Sequence, residues 1–98
     1  MAIDDGHALS YTALPTGIPV YSSDEIELGT VREVLDNERE HIFDGIVMET
    51  PSGERLFVDA PEVARTAERA VTLNITAEQA KALEPPKRGG RLGKLFRR

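Results

Sequence analysis

Two histidines, scattered carboxylates and a run of bases near one end are the residues that could do chemistry in this sequence. His41 stands close to Asp36, Glu38, Glu40 and Asp44, and imidazole combined with carboxylates is a ligand set that divalent metals accept. Their spacing matches no established ligand frame, and a charged loop of this kind is usually just solvated. His7 lies far from this group along the chain. Asp44 interrupts an apolar run, where a carboxylate is costly unless paired or exposed. In a pocket such an acid could serve as a general base. Pairing with Arg32, Arg39 or Arg55 at the rim of a sheet is the simpler account, because catalysis needs a constellation of partners. No Ser–His–acid set stands out, and Gly89-Gly90 follows a proline stop instead of a strand, so a phosphate loop is not expected. Zero cysteines exclude disulfides, thiolate zinc sites, iron–sulfur ligation and thiol catalysis. No catalytic residue, metal ligand or cofactor site is therefore expected, and a metal-dependent or small-molecule enzyme is the weakest of the readings.

The bases are the better candidates. Lys87, Arg88, Arg91, Lys94, Arg97 and Arg98 are six of the twelve bases, and no acid accompanies them in residues 87–98, so that stretch carries +6. Residues 1–86 hold the other six bases and all 17 acids, a charge of -11, and the whole chain stands at -5. Such an acidic body repels phosphate backbones and anionic membranes, so nucleic acid is not expected to bind it, and any polyanion would meet the tail. Within the tail, Leu92, Leu95 and Phe96 fall at i, i+3 and i+4, which a helix would gather on one side with bases flanking. A segment of this kind suits an anionic membrane, an acidic protein groove or RNA. Each base contributes at most about 1 kcal/mol near an anionic surface, and each large apolar side chain roughly 1.5–3 kcal/mol when buried. Ordering the backbone costs about 1–2 kcal/mol per residue. The contributions nearly cancel, so one tail should bind weakly and reversibly, and two tails on a homodimer would gain from effective concentration. One aromatic among three apolar residues suits an apolar surface better than a base-stacking track.

The elements that must carry these residues are short. At 98 residues, 40% hydrophobic and 5% aromatic, the chain allows one small domain, burying only about 60–65% of its unfolded surface. The longest apolar runs are far too short to span a bilayer, and the lack of cysteine fits a reducing cytosol. Residues 1–16 read as a mobile N-terminal arm with one ordered patch around Leu9, Tyr11 and Leu14. Strands are expected over residues 18–22, 28–35, 42–50, 55–58 and 70–75, from apolar alternation bounded by turn residues. In the third, Ile42, Ile46 and Met48 should share one face and Phe43 and Val47 the other, marking a central strand buried on both sides. Gly29 marks a kink or a close backbone approach, and residues 36–40 a hairpin loop. Two helix starts stand out. Asp59-Ala-Pro-Glu62 predicts a two-turn helix through Val63 and Ala67, and Thr76-Ala-Glu-Gln79 a second one, stopped by Pro85-Pro86. Five or six short strands in so short a chain predict a mainly β fold, a small closed or nearly closed barrel with two short helices and flexible termini.

Ile18-Pro-Val-Tyr-Ser-Ser-Asp24, then Leu28-Gly29-Thr-Val31 with Val34, then the loop to His41 leading into Ile42-Phe-Asp-Gly-Ile-Val47, resembles the PRC-barrel family. That family is named for the photosynthetic reaction centre H subunit, and a similar barrel forms part of ribosome maturation factors of the RimM type. The resemblance spans about residues 17–75. The family commonly has Asp-Gly in the first turn where Asp24 is followed by Glu25, so a turn type without positive φ is expected here. The resemblance implies a six-stranded barrel that acts as a protein-binding or assembly module, without implying a catalytic centre; along the chain, the barrel domain is expected over residues 17–84 and the basic tail over residues 85–98.

The expected role is that of a non-enzymatic, cytoplasmic adaptor, able to form a homodimer, with a protein partner on its barrel surface. Lys87, Arg88, Arg91, Leu92, Lys94, Leu95, Phe96, Arg97 and Arg98 would recruit it as a peripheral protein to the inner face of a membrane or to an acidic partner. The alternative is a ribosome- or RNA-associated assembly factor.

Overall fold

The computed structural model describes residues 4–37 and 42–86. Six strands form one sheet: β1 (Pro19–Tyr21), β2 (Glu27–Asn37), β3 (Ile42–Glu49), β4 (Arg55–Asp59), β5 (Val63–Thr66) and β6 (Val71–Leu73). Their order is β4-β3-β2-β1-β6-β5, with β1 and β6 parallel and every other pair antiparallel. The sheet curls into a half-barrel. Among the described residues β4 and β5 do not pair, so the expected barrel is not sealed and keeps two sheet ends.

Single extra residues bend the sheet. Val20 faces Gly29 while Tyr21 faces Glu27, so Leu28 is extra in β2. Arg32 is extra between Val31, opposite Met48, and Glu33, opposite Val47. Asp44 is extra in β3, where Leu35 faces Gly45 and Asp36 faces Phe43. A bulge of this kind bends its strand, increases the local twist and passes the following residues to the other face. The Asp44 bulge corrects the expected facing of β3. Phe43 packs against the core with Ile46 and Met48, whereas Ile42 is 48% exposed. Burial on both sides of the strand holds further along, where Val47 is also buried, opposite Phe57 on β4. Gly45 takes φ +147°, and a Cβ there would collide with the Val58 carbonyl oxygen. Gly29 is a close approach as expected, since a Cβ would strike the Glu49 carbonyl oxygen.

The core fills the hollow of the sheet with Val20, Val31, Ile46, Met48, Val58, Val71, Leu73 and Leu14. Leu14 comes from the N-terminal segment, which is held along more of its length than one ordered patch. Tyr11, in a 3-10 turn at Tyr11–Ala13 capped by the Ser10 hydroxyl, stacks on Phe43 with ring centroids 4.9 Å apart. Leu9 N–H donates to the Thr66 carbonyl (2.8 Å), Glu68 N–H to His7 (3.0 Å) and Arg69 N–H to Asp5 (2.9 Å). Residues 5–9 thus run antiparallel to residues 66–69, the end of β5 and the turn after it, joined also by a bridge between Ala8 and Ala67.

One of the two expected helices does not form. Asp59 makes no side-chain cap, and a 3-10 turn of three residues, Ala60–Glu62, leads directly into β5. Pairing of Val63 with Leu73 and Thr66 with Val71 gives this β-branched stretch a sheet partner, which outweighs a start signal worth about 1 kcal/mol. Asn74 satisfies the turn's carbonyls, donating from Nδ2 to Pro61 (2.7 Å) and from its backbone to Glu62 (2.9 Å). The other helix, α1 (Ala77–Ala80), has the expected capping box. The Thr76 hydroxyl accepts from Gln79 N–H (3.1 Å), and Gln79 Oε1 from Thr76 N–H (2.8 Å). Of the hairpin loop expected over residues 36–40, Asp36 and Asn37 belong instead to β2, and residues 38–40 lie outside the described residues.

The first turn also departs from expectation. Glu25 takes φ +67° in place of a turn free of positive φ. The surrounding bonds impose it: Ser22 N–H donates to the Ile26 carbonyl and Glu25 N–H to the Ser22 carbonyl, both at 2.9 Å. Ile26 N–H donates in turn to the Ser22 hydroxyl at 3.0 Å. The left-handed conformation costs a side-chain-bearing residue roughly 1–2 kcal/mol, and a turn closed at three points supplies that.

Candidate interaction surface

Among the described residues, those singled out for chemistry do not converge. Asp44 is half-buried as the extra residue of the β3 bulge, which is where an acid interrupts the apolar run. Arg32 and Arg55 both reach Glu49, at 3.1 Å and 4.0 Å, on the outer face of the sheet. His7 is exposed in the N-terminal segment, and its backbone N–H donates to Glu68 Oε1 (3.2 Å). His41, with Glu38, Arg39 and Glu40, lies outside the described residues. Among the described residues no three His, Asp or Glu side chains are grouped as metal ligands. The same holds of helices that could cross a membrane, since none described is long and apolar enough.

Two polar clusters lie elsewhere. Ser22 is fully buried, and its hydroxyl donates to Asp24 while accepting from Ile26 N–H. Asp24 also accepts from Ala77 N–H (3.1 Å), at the start of α1. The Ser22 hydroxyl bond, helped by Ala77 N–H, holds the Asp24 carboxyl below its ordinary range against the opposing effect of desolvation. With the hydroxyl committed on both sides, this is a staple between the first turn and α1, not a nucleophile with its base. The second cluster clamps the N-terminal segment. Arg65 grips Asp5 with Nε (2.7 Å) and Nη2 (3.3 Å) and reaches the Gly6 carbonyl (2.8 Å). Arg69 meets Asp4 at 2.9 Å. Both clusters serve the fold.

The described residues also form a groove of about 740 Å³ beside the start of β4. Leu56, Ala80, Leu83, Pro85 and Pro86 supply apolar lining, and Glu54, Arg55 and Lys81 supply charge. Its origin lies in the residues that pass the sheet edge. After α1 the chain returns alongside β4 and touches it through one backbone bond, Phe57 N–H to the Glu84 carbonyl (2.8 Å). Pro85 and Pro86 have no N–H, so neither can donate to β4 and extend a ladder. The returning segment therefore stands off from the strand and leaves a channel. Sequence reasoning missed this groove, since Pro85-Pro86 signals only a helix stop. The second half of that signal, two consecutive residues unable to donate beside an edge strand, needs the topology to be visible.

Lys87, Arg88, Arg91, Leu92, Lys94, Leu95, Phe96, Arg97 and Arg98 lie outside the described residues. Their root is nevertheless placed, because Pro86 lines the groove. The sequence matches no family model and no curated protein.

Proposed function

We propose that the chain is a non-enzymatic protein-interaction or assembly module of the PRC-barrel kind, recruited by its basic residues 87–98 to an anionic membrane or an acidic partner. The observation that carries this reading is the groove along β4. It pairs an apolar lining, Leu56, Leu83 and Pro85 among it, with charged residues Glu54, Arg55 and Lys81. That is the general anatomy of a docking surface, where an apolar centre supplies energy and a polar rim supplies register. It lies against an edge strand, to which a partner's extended segment can add backbone hydrogen bonds. The binding of Asp44 into a bulge and of the Ser22 hydroxyl into a staple agrees with a role on the exterior of the molecule.

Photo-cross-linking tests the reading. A reactive side chain placed at the exposed Lys81, in an extract of the native host, should capture one reproducible protein. The same probe at Ala64 on β5, also exposed, should not capture it. Recovery of the chain alone from both positions would sink the adaptor role. For the tail, the full chain should sediment with anionic vesicles and lose this at high salt, whereas a version ending at Pro86 should stay in solution. Equal sedimentation of the two versions removes the tail from the account. Salt-sensitive sedimentation of the full chain with ribosomal particles, but not with vesicles, would replace it by an RNA-associated assembly role.

A further inference from the structure

The groove beside β4 carries a sign of charge opposite to the body around it. We propose that it takes an extended, acidic peptide segment of a partner protein, whose apolar side chains seat on Leu56 and Leu83 and whose carboxylates meet Arg55 and Lys81. This rests on reading the groove as a docking surface and names the chemistry of what docks there.

Charge is the first observation. Residues 1–86 carry -11. Among the described lining residues, by contrast, Arg55 and Lys81 stand with one acid, Glu54. These two bases are also held more loosely than others. Arg65 grips the buried Asp5 with two hydrogen bonds, and Arg69 meets Asp4 at 2.9 Å. Arg55 stands 4.0 Å from Glu49, a carboxylate that Arg32 holds more closely at 3.1 Å. Lys81 meets Glu78 at 3.1 Å, where both side chains are largely exposed. Exposed pairs of this kind contribute little, so either base can turn to an incoming carboxylate at small cost. One base comes from each side of the groove, Arg55 from the strand and Lys81 from the C-terminal cap of α1.

The apolar lining is the second. Leu56 and Leu83 are each half-buried and packed against the core, so the core reaches the surface here. Ala80, Pro85 and Pro86 extend that apolar lining. An apolar side chain entering the groove joins an existing cluster, and both surfaces leave water.

The third is the backbone. β4 ends the sheet, and its Phe57 N–H points outward to the Glu84 carbonyl. Alternate residues of an antiparallel strand direct their N–H and C=O to the same side, so Arg55 shares the outward side with Phe57. A segment laid at the start of β4 can bond to Arg55, and its side chains then alternate between the two faces of the sheet. Leu56 lies on the core face and Arg55 on the outer face. The matching pattern is therefore an acid between two apolar residues.

Peptide display on the full chain tests this. Random short peptides selected for binding should be enriched in Asp or Glu flanked by Leu, Ile, Val or Phe. A synthetic peptide so selected should move the amide resonances of Leu56, Ala80 and Leu83 and leave that of Ala64 on β5 in place. Against Arg55→Gln with Lys81→Gln it should bind about tenfold more weakly, a difference that high salt reduces. Selected peptides without acids, or peptides that move other amides, overturn the proposal, and so does a selection that enriches nothing. Affinity unchanged by the double substitution overturns it as well, since residues 87–98 would then be what meets the acid. Peptide binding that weakens as protein concentration rises would give the groove to a second copy instead. A Lys81 cross-link to a partner that persists while acidic peptides fail would sink this chemistry alone and leave the docking role standing.

Discussion

Asp5 is a carboxylate taken almost wholly out of water, at 7% exposure. Burial alone would raise its pKa. The hydrogen bonds from Arg65 outweigh that effect and hold the group below the ordinary aspartate value, aided by the charges of Arg65 and Arg69, and Arg65 is shifted up in return. A folded pKa below the unfolded one means the stabilisation is complete above about pH 4 and is lost as pH falls through the folded value. Replacing Asp5→Asn should accordingly lower the urea midpoint near neutral pH. The gap between the two proteins should shrink as pH falls below about 4, the ordinary aspartate range. A gap of constant size over that range would mean that the ionised carboxylate is not what Arg65 holds. The sequence conceals this pair. Asp4-Asp5-Gly6 reads as a turn, and its partner lies 60 residues away, in a segment that reads as helix.

At the scale of elements, what was legible depended on whether the signal is local. The strands β1, β2, β3, β4 and β6 follow from apolar alternation between turn residues, and α1 from its capping box. The bulges leave no such trace, because an extra residue looks like any other until the partner strand is known. Phe43 and Ile42 are therefore assigned to the wrong faces by strict alternation, and the error starts at Asp44. The missing helix is the opposite case, a clear start signal overruled from a distance by the pairing of β5 with β6. These two start signals offer a controlled comparison. Thr76→Ala should cost about 1 kcal/mol, since the hydroxyl bond to Gln79 N–H is made. Asp59→Ala removes no cap bond and should stay within about 0.5 kcal/mol, the range for surface substitutions away from special features. Equal losses in urea titrations would show that the 3-10 turn at Ala60–Glu62 depends on Asp59 after all.

The whole molecule turns on how a half-barrel keeps its two ends from pairing with a neighbour. An open strand edge is a template for another chain, and here the ends are β4 and β5. The two are treated differently. At the end of β5, residues 5–9 lie as a strap beside residues 66–69, with backbone bonds from Leu9, Glu68 and Arg69 and the Arg65 clamp. Along β4 the described residues that follow α1 make one backbone bond, to Glu84, and then come two prolines. The last residue of β5 and the turn after it are thus covered by backbone bonds, whereas β4 is met by one such bond and two prolines. The sequence hides this asymmetry because the strap reads as a mobile arm, lacking any period of its own. A version beginning at Ser10 separates the two ends. It keeps the Tyr11–Phe43 stack and buried Leu14 while uncovering residues 66–69 at the end of β5. Light scattering should show a larger mass than the full chain at equal concentration, rising with concentration, and the urea midpoint should fall. The added Asp5→Asn variant, with the strap present but unclamped, should lie between the two. If the shortened version matches the full chain in mass and midpoint, the strap does not protect the edge, and the contrast between the two ends has no consequence for association.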